Sequence, residues 1–436
     1  MADVWALLLY ALPCMVILAV YLWRQRRVHA RHVAVQQESI AAGLIEPASL
    51  HPLIDESRCL GCGACVTACP ETSHHDVLGL INGKAVLVGP SECIGHGACK
   101  SACPFDAITL VFGTERRGID IPVLQPNFES NVPGIYVAGE LGGMGLIRNA
   151  LTQGAQALEA IAKSGNRHAG ALDVLIIGAG PAGLAASLAA KQLGLNYQTV
   201  EQEALGGAVF QYPRGKLVMT APVELPIIGK VQFRNTTKEE LLKFWTSACN
   251  DNGLKINYRE RVESLQRDGG MFLVKTVGPT YRASNVLLAI GRRGTPRKLG
   301  VPGEDLSKVV YRLIDPEQYR GQQVMVVGGG DSALEAAASV AELGDTSVVL
   351  SYRGDAFQRA KTRNRQRVEE ASKQGILQVM LNSQLREIRP EEVLLQQKGQ
   401  NVRVDNHAVI VNAGGILPND FLRSIGIEVE TKWGTA

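Results

Sequence analysis

Two kinds of apolar run punctuate the chain. The first, Val4 to Trp23 (VWALLLYALPCMVILAVYLW), is uncharged over about 20 residues and as a helix would measure about 30 Å, the depth of a bilayer core. The second kind is short and continuous: Val174–Ile177, Val324–Val327 and, more weakly, Gly134–Ala138. Such runs read as strands of parallel sheets buried on both faces. Each is followed by a glycine-rich turn and a helical stretch, the strand–turn–helix rhythm of an α/β protein. Residues 255–290 alternate in polarity as further strands, ending in NVLLAIGRRGTPR.

At 436 residues the chain has room for two or three domains. A net charge of +3 gives no indication of nucleic-acid binding, and none is expected. Charge matters most around the long apolar run. Only Asp3 precedes it, whereas Arg24, Arg26, Arg27 and Arg31 follow. Trp5, Tyr10, Tyr21 and Trp23 bring interface-type aromatics to both ends. The run therefore predicts a single-pass anchor over 1–23 in the cytoplasmic (inner) membrane, with the bulk of the protein on the cytoplasmic side. There is no positive leading region or small-residue cleavage site of a signal peptide. Pro13 and Cys14 fall inside the run, and Cys14 is read as structural. Residues 24–50 continue as a basic, Gln-rich helix or linker.

Of nine cysteines, seven stand in metal-ligand spacing, which suits a reducing compartment. CLGCGACVTACP carries Cys59, Cys62, Cys65 and Cys69 in C-x2-C-x2-C-x3-C-P, and CIGHGACKSACP repeats it with Cys93, His96, Cys99 and Cys103. This is the bacterial ferredoxin spacing, and residues 51–112 resemble a dicluster ferredoxin domain. The resemblance implies two iron–sulfur (4Fe-4S) clusters, each fourth cysteine serving the other cluster. One would take Cys59, Cys62, Cys65 and Cys103; the other Cys69, Cys93 and Cys99, with position 96 open. His96 stands where a cysteine is expected. Either it ligates, raising the potential of that cluster, or the site holds a 3Fe-4S cluster or a water-ligated iron. His74 and His75, between the motifs, are read as solvated.

VLIIGAGPAGLAASLAAKQLGLNYQTVE has a full dinucleotide fingerprint: Gly178 for the turn, Gly180 for close approach of a pyrophosphate, Gly183 for helix packing, and Glu201 for a ribose hydroxyl. VMVVGGGDSALEAA repeats it with Gly328, Gly330 and Ala333. The strand after this second copy ends in SYRGDAFQR with no acid, so Arg353, helped by Arg359, is placed to meet a 2′-phosphate. NADPH is favoured over NADH. Arg363, Arg365 and Arg367 read as a solvated helix face.

These motifs together resemble the two-dinucleotide-domain flavoproteins of the thioredoxin reductase type. The resemblance implies FAD in the first site, with Gly206 and Gly207 as the flavin-side glycine pair, and NADPH or NADH in the second. Tyr352 stands where the family has a first arginine. The family's closing strand and helix, with a Gly-Asp meeting the flavin's ribityl chain, normally lie at the C-terminal end. Here the similar segment, 113–165 with Gly139 and Glu140, precedes the first fingerprint, and Asn406–Ala436 resembles the strand and loop leading into it. A circular permutation is expected, with 172–296 as FAD domain, 297–402 as NAD(P) domain and 403–436 returning to the FAD domain. The redox C-x-x-C of thioredoxin reductases is absent, and Cys249 reads as a buried small residue. The family often pairs, so a homodimer is open.

The expected fold is α/β, two Rossmann-like domains plus a small α+β ferredoxin domain and one transmembrane helix. The expected function is an NAD(P)H-dependent flavin and iron–sulfur oxidoreductase passing electrons to or from a membrane-bound redox partner. Two alternatives stay open: a reductase of a small soluble substrate such as a low-molecular-weight disulfide, and a nucleotide- or redox-sensing subunit of a membrane complex. Hydride transfer needs no general base, so no catalytic acid or base is named.

Overall fold

The computed structural model describes residues 2–41, 44–45, 47, 50–73, 75–115, 118–143, 145–218, 222–232, 236–292, 294–358 and 360–434; of residues 2–14, 73 and 217 only the backbone is described. The chain folds as two units, residues 1–117 with 433–436, and residues 118–432.

The first unit opens with one helix, Ala2–Ala41, running through Pro13 and past Trp23 without a break. At 1.5 Å per residue it is about 60 Å long. The apolar stretch and the basic, Gln-rich stretch after it are thus one continuous helix. The side chains of residues 4–14, Cys14 among them, lie outside the described residues. From Met15 to Trp23 the large apolar side chains are exposed, Ile17 the most at 68 %. Among the described residues no helix is long and apolar enough to cross a membrane, so the expected spanning segment is not shown by the fold.

The far end of this helix is pinned. His32 is buried, and its Nδ1 accepts the Leu80 N–H at 3.0 Å. Its ring lies so close to Gly79 that a Cβ there would come within 2.6 Å of it. One residue earlier, Arg31 pairs with the buried carboxylate of Asp76 at 2.5 Å. The module so held is small. His51–Ile54 and Ile108–Val111 pair antiparallel, closing the ends of the segment on each other. The hairpin Leu78–Ile81/Lys84–Leu87 lies between the two cysteine repeats. Short helices Ala64–Ala68 and Ala98–Ser101 end the two ligand loops.

The second unit is built on two sheets. In the first, parallel strands run in the order Ile256–Asn257, Tyr197–Val200, Leu172–Ile177, Thr280–Leu288. On the outer side of the last lies Ile135–Val137, parallel and in register with Val286–Leu288. The antiparallel ribbon Val262–Asp268/Met271–Thr276 adds to the N-terminal half of the 280–288 strand. Segment 118–164 is therefore part of this sheet's layer, not a tether. Its helix, Ile147–Ser164, packs on Pro181–Gln192 with Gly154 at the crossing, where a Cβ would meet the Ala182 carbonyl oxygen at 2.0 Å. Ile119–Pro122 pairs antiparallel with Val429–Lys432, and Asn131 bonds both the Gly426 carbonyl and the Glu428 N–H.

The second sheet orders Val309–Val310, Ala408–Val411, Gln323–Val327, Ser347–Ser351 and Leu377–Met380, all parallel, with an antiparallel triplet over 383–405 alongside. Strand Ala408–Val411 sits inside this sheet beside Val324–Val327. The expected return to the first domain at residue 403 is thus corrected. Ladder hydrogen bonds keep the chain in the second sheet through 411, and the crossing strand Gly415–Ile416 then pairs with Thr295–Pro296.

Because the wall facing Gly154 is backbone, neither side can yield by a rotamer change. Gly154→Val should cost about 1–3 kcal/mol or more of stability, read as a lowered midpoint in thermal unfolding, whereas Gly165→Ala, where nothing crowds the site, should cost less through its positive φ alone.

Candidate functional site

The carboxyl edge of the first sheet gathers four turns. Gly178 (φ +105) donates its N–H to the Val200 carbonyl at 2.8 Å and lies so near the Ala289 carbonyl that a Cβ would come within 2.5 Å of it. A Cβ at Gly183 would meet the Gly178 oxygen at 1.8 Å. Both glycines are required by the protein's own packing. Gly180 is different. The nearest atom to a Cβ there is the Cα of Gly207 at 3.8 Å, and the loop carrying Gly206 and Gly207 is held over it by Gly206 N–H to Ala179 O at 2.9 Å. Two glycines thus flank a groove open at the N-terminus of helix Pro181–Gln192, a setting that favours phosphate.

Glu201 is buried at the rim. One carboxylate oxygen accepts the Ala179 N–H at 2.7 Å, the other the Glu203 N–H at 2.9 Å. Burial pushes its pKa up, although those two N–H donors oppose the shift. Anchored in this way, its remaining lone pairs can accept from a ribose diol. The fourth turn is Gly139–Gly142. Gly139 (φ +83) donates to Gln153 Oε1 at 2.9 Å, and a Cβ on it would sit 3.0 Å from Ala182 Cβ. Glu140 is therefore brought beside the first helical turn after the fingerprint, from a segment preceding it in sequence by some forty residues. These residues fit an FAD: two cradling glycines, a helix N-terminus and an oriented carboxylate.

The second cradle repeats the logic. Gly328 donates to Ser351 O at 3.0 Å, and a Cβ on it would meet Asn412 O at 2.4 Å and Ala333 Cβ at 2.9 Å. Ala333, in the third position, is fully buried. Around Gly330, in ordinary extended backbone, a Cβ would meet nothing. Arg353 is exposed at the end of strand Ser347–Ser351, with no ion pair to another described residue. Arg359 lies outside the described residues. Arg367, expected to be solvated, is instead tied to Glu342 at 2.8 Å. Tyr352 is the surprise. Its ring stacks on Phe357 at 5.6 Å between centroids and covers Gly329, where a Cβ would come within 2.3 Å of it. The sequence marks Tyr352 only as a departure from an arginine; that the ring folds back over the glycine loop is a through-space fact.

The thiols sort into two small cavities. Cys59, Cys62, Cys65 and Cys103 line one. Cys69, Cys93, Cys99 and His96 line the other, together with Glu71. His75 approaches Glu92 at 3.8 Å, and His74 lies outside the described residues. Burial pushes the Cys65 and Cys93 thiols up to about 11, so without a cationic guest they stay protonated at neutral pH. Zinc would draw four sulfurs to about 2.3 Å from one centre. Among the described residues no three Cys, His, Asp or Glu side chains converge to hold a single ion. Around the first cavity, Cys59 Sγ accepts the Ala85 N–H and Cys103 Sγ the Ala107 N–H, both at 3.4 Å. Lys84 Nζ donates to the Glu56 and Cys59 carbonyls at 2.8 and 2.6 Å, a role its sequence position beyond the motif did not reveal.

Residues 175–435 match the pyridine nucleotide-disulphide oxidoreductase family model. The chain belongs to that family. It is an enzyme, a flavin oxidoreductase. Residues 51–104 match a 4Fe-4S dicluster domain. The chain is similar to a ferredoxin–NADP reductase of Ignicoccus hospitalis (32 % identical, covering 60 % of this chain and 83 % of that one) and to a bacilliredoxin reductase of Bacillus subtilis (26 %, covering 60 % and 82 %). Among solved structures it resembles a bacillithiol disulfide reductase of Bacillus cereus (26 %, TM-score 0.53, covering 58 % and 81 %). The family match starts at residue 175 and so leaves out 118–164, which nevertheless completes the same sheet.

Gly330 separates fold from ligand. With nothing of the protein in reach, Gly330→Ala should leave the thermal midpoint within about 2 °C, while weakening pyridine-nucleotide binding at least about tenfold, a loss of about 1.4 kcal/mol, measured by calorimetric titration.

Proposed function

We propose that this oxidoreductase passes electrons between NADPH and a membrane-bound redox partner by way of FAD and two iron–sulfur clusters. The observation that carries the reading is the sorting of seven cysteines into two separate cavities in a chain that also holds two nucleotide cradles. The curated relative from Ignicoccus hospitalis bears the name ferredoxin–NADP reductase; here a ferredoxin-type module is part of the same polypeptide. A nicotinamide gives up a hydride, two electrons at once, while clusters take one each, and a bound flavin supplies the exchange between the two. One NADPH thus reduces two one-electron acceptors and releases one proton. The chain's part is positioning: Gly180, Gly207 and Glu201 for the flavin nucleotide, with Glu140 toward the ribityl chain; Gly328, Gly330 and Arg353 for NADPH.

Residues 113–165 are read as the closing strand and helix of the FAD domain, moved by circular permutation ahead of the first fingerprint. The pairing of Ile119–Pro122 with the C-terminal strand Val429–Lys432 supports this. Membrane anchoring is read from the uncharged Val4–Trp23 run, the arginines that follow it and the exposed apolar side chains of Met15–Trp23. The bulk would then lie on the cytoplasmic side. The full chain should stay with native membranes through a carbonate wash; release into the supernatant would remove the anchor.

The name of the Bacillus subtilis relative favours a second reading, reduction of a soluble disulfide at the flavin. A dithiol relay within this chain does not suit it. Residues 309–322 contain no cysteine, and Cys249 is buried, with burial pushing its thiol up to about 11. At pH 7 Cys249 should stay unalkylated by iodoacetamide in the native protein, and Cys249→Ala should keep turnover within about twofold.

Mixing the anaerobic protein with NADPH in a stopped-flow cell tests the main reading. Flavin absorbance should bleach first and cluster absorbance next. Clusters that no donor can reduce while the flavin is reduced would rule it out. Turnover of a low-molecular-weight disulfide that survives loss of the clusters would favour the second reading. Tight nucleotide binding without flavin reduction would point to a sensor.

A further inference from the structure

The two cysteine repeats share a backbone frame but not its central residue. Cys62 is flanked by Gly61 and Gly63, at φ of +67° and +75°; His96 is flanked by Gly95 and Gly97, at +73° and +78°. Such left-handed pairs present the residue between them to the cavity that the loop encloses, and each loop runs on into a short helix. Position 96 is thus the structural equal of a ligand position. The question is what a histidine can do from it.

His96 Nδ1 accepts the backbone N–H of Ala98 at 3.0 Å. A backbone N–H can only donate, so Nδ1 carries no proton, and the neutral ring has its proton on Nε2. A ring nitrogen bearing a proton has no lone pair for iron. Metal-bound histidines almost always show the reverse arrangement, with the second nitrogen donating outward. To ligate through Nε2, this ring would have to become an anion or give up its bond to Ala98. Held as it is, the ring offers a hydrogen bond to an anionic guest.

Another acceptor lines the same cavity. Glu71 follows Cys69 and Pro70 in the short 3-10 turn Pro70–Ser73 and is half-buried. It has no ion pair or side-chain hydrogen bond with another described residue. Cys69, Cys93, Cys99 and Glu71 together supply three thiolates and one carboxylate, the same total charge as four cysteines.

We propose that Glu71 is the fourth iron ligand of the second cluster, and that His96 donates an Nε2–H hydrogen bond to that cluster instead of ligating it. The proposal rests on the reading of this module as an iron–sulfur centre and deepens it. A carboxylate is a harder ligand than a thiolate, so the iron it holds is the one lost first.

The test uses the full chain, purified anaerobically, with iron analysis, EPR and a redox titration. The wild type should carry about eight irons per chain, two four-iron clusters. Glu71→Gln should lose about one iron per chain and gain the oxidised-state EPR signal of a three-iron cluster, while the other cluster keeps its spectrum. Glu71→Cys should restore the full iron content, so loss in Glu71→Gln cannot be put down to misfolding. His96→Leu should retain all the iron and shift the potential of the second cluster alone, downward, through loss of a hydrogen-bond donor. The proposal is overturned if His96→Leu loses the iron and Glu71→Gln keeps it, if both keep it, or if the wild type already holds a three-iron cluster. A protein carrying zinc, or no iron in the second cavity, would overturn the underlying reading as well. Full iron retention in Glu71→Gln would overturn this proposal only.

Discussion

Three backbone pairings, Ile135 with Val286, Tyr136 with Leu287 and Val137 with Leu288, decide where the flavin oxidoreductase can do chemistry. They are bracketed by the Gly134 carbonyl accepting from Val286 and the Leu288 carbonyl accepting from Ala138, at 2.9 and 3.1 Å. Parallel register is unforgiving. A slip of one residue would turn Ile135 and Val137, both fully buried, from one face of the sheet to the other. Because the register holds, the strand ends level with Ile177, and the Gly139–Glu140 turn arrives at the same edge as Gly178–Gly183. Everything proposed for the nucleotide end depends on that alignment.

The glycines at this edge fall into two groups with different reasons for being glycine. Gly178, Gly183 and Gly328 are required by the protein itself, since backbone oxygens stand within 2.5 Å of any Cβ. Gly180 and Gly330 are not. On the proposed reading, a bound nucleotide is what keeps a side chain out of those two places, so that folding and binding would constrain different glycines of one short motif.

Legibility follows the same division. The fingerprints and the cysteine repeats are local patterns with fixed spacing, so their chemistry is readable from the chain alone. The cavities then sort Cys59, Cys62, Cys65 and Cys103 from Cys69, Cys93 and Cys99, a division that the ferredoxin resemblance implies. Contacts between distant stretches were not readable. No spacing rule brings Lys84 Nζ to the Cys59 carbonyl, or lays Tyr352 over Gly329. Glu71 carries no signature in the chain, because a carboxylate beside a cysteine motif is marked out only by the cavity it lines. The change from apolar to basic at Arg24 leaves the backbone conformation unchanged, because helix propensity carries on through the Gln-rich stretch.

One more consequence lies in the way the chain enters and leaves its larger unit. Ile119–Pro122 goes in and Val429–Lys432 comes out as antiparallel neighbours, and the residues just beyond, Gly434 and Phe112, bond to each other by N–H to carbonyl at 2.9 Å. Entry and exit of this unit are therefore paired strands. A unit attached in that way behaves as a cassette: a homologous nucleotide-binding unit from another oxidoreductase, recut to begin and end on such a pair of strands, could be grafted at the same two junctions without lengthening either crossing.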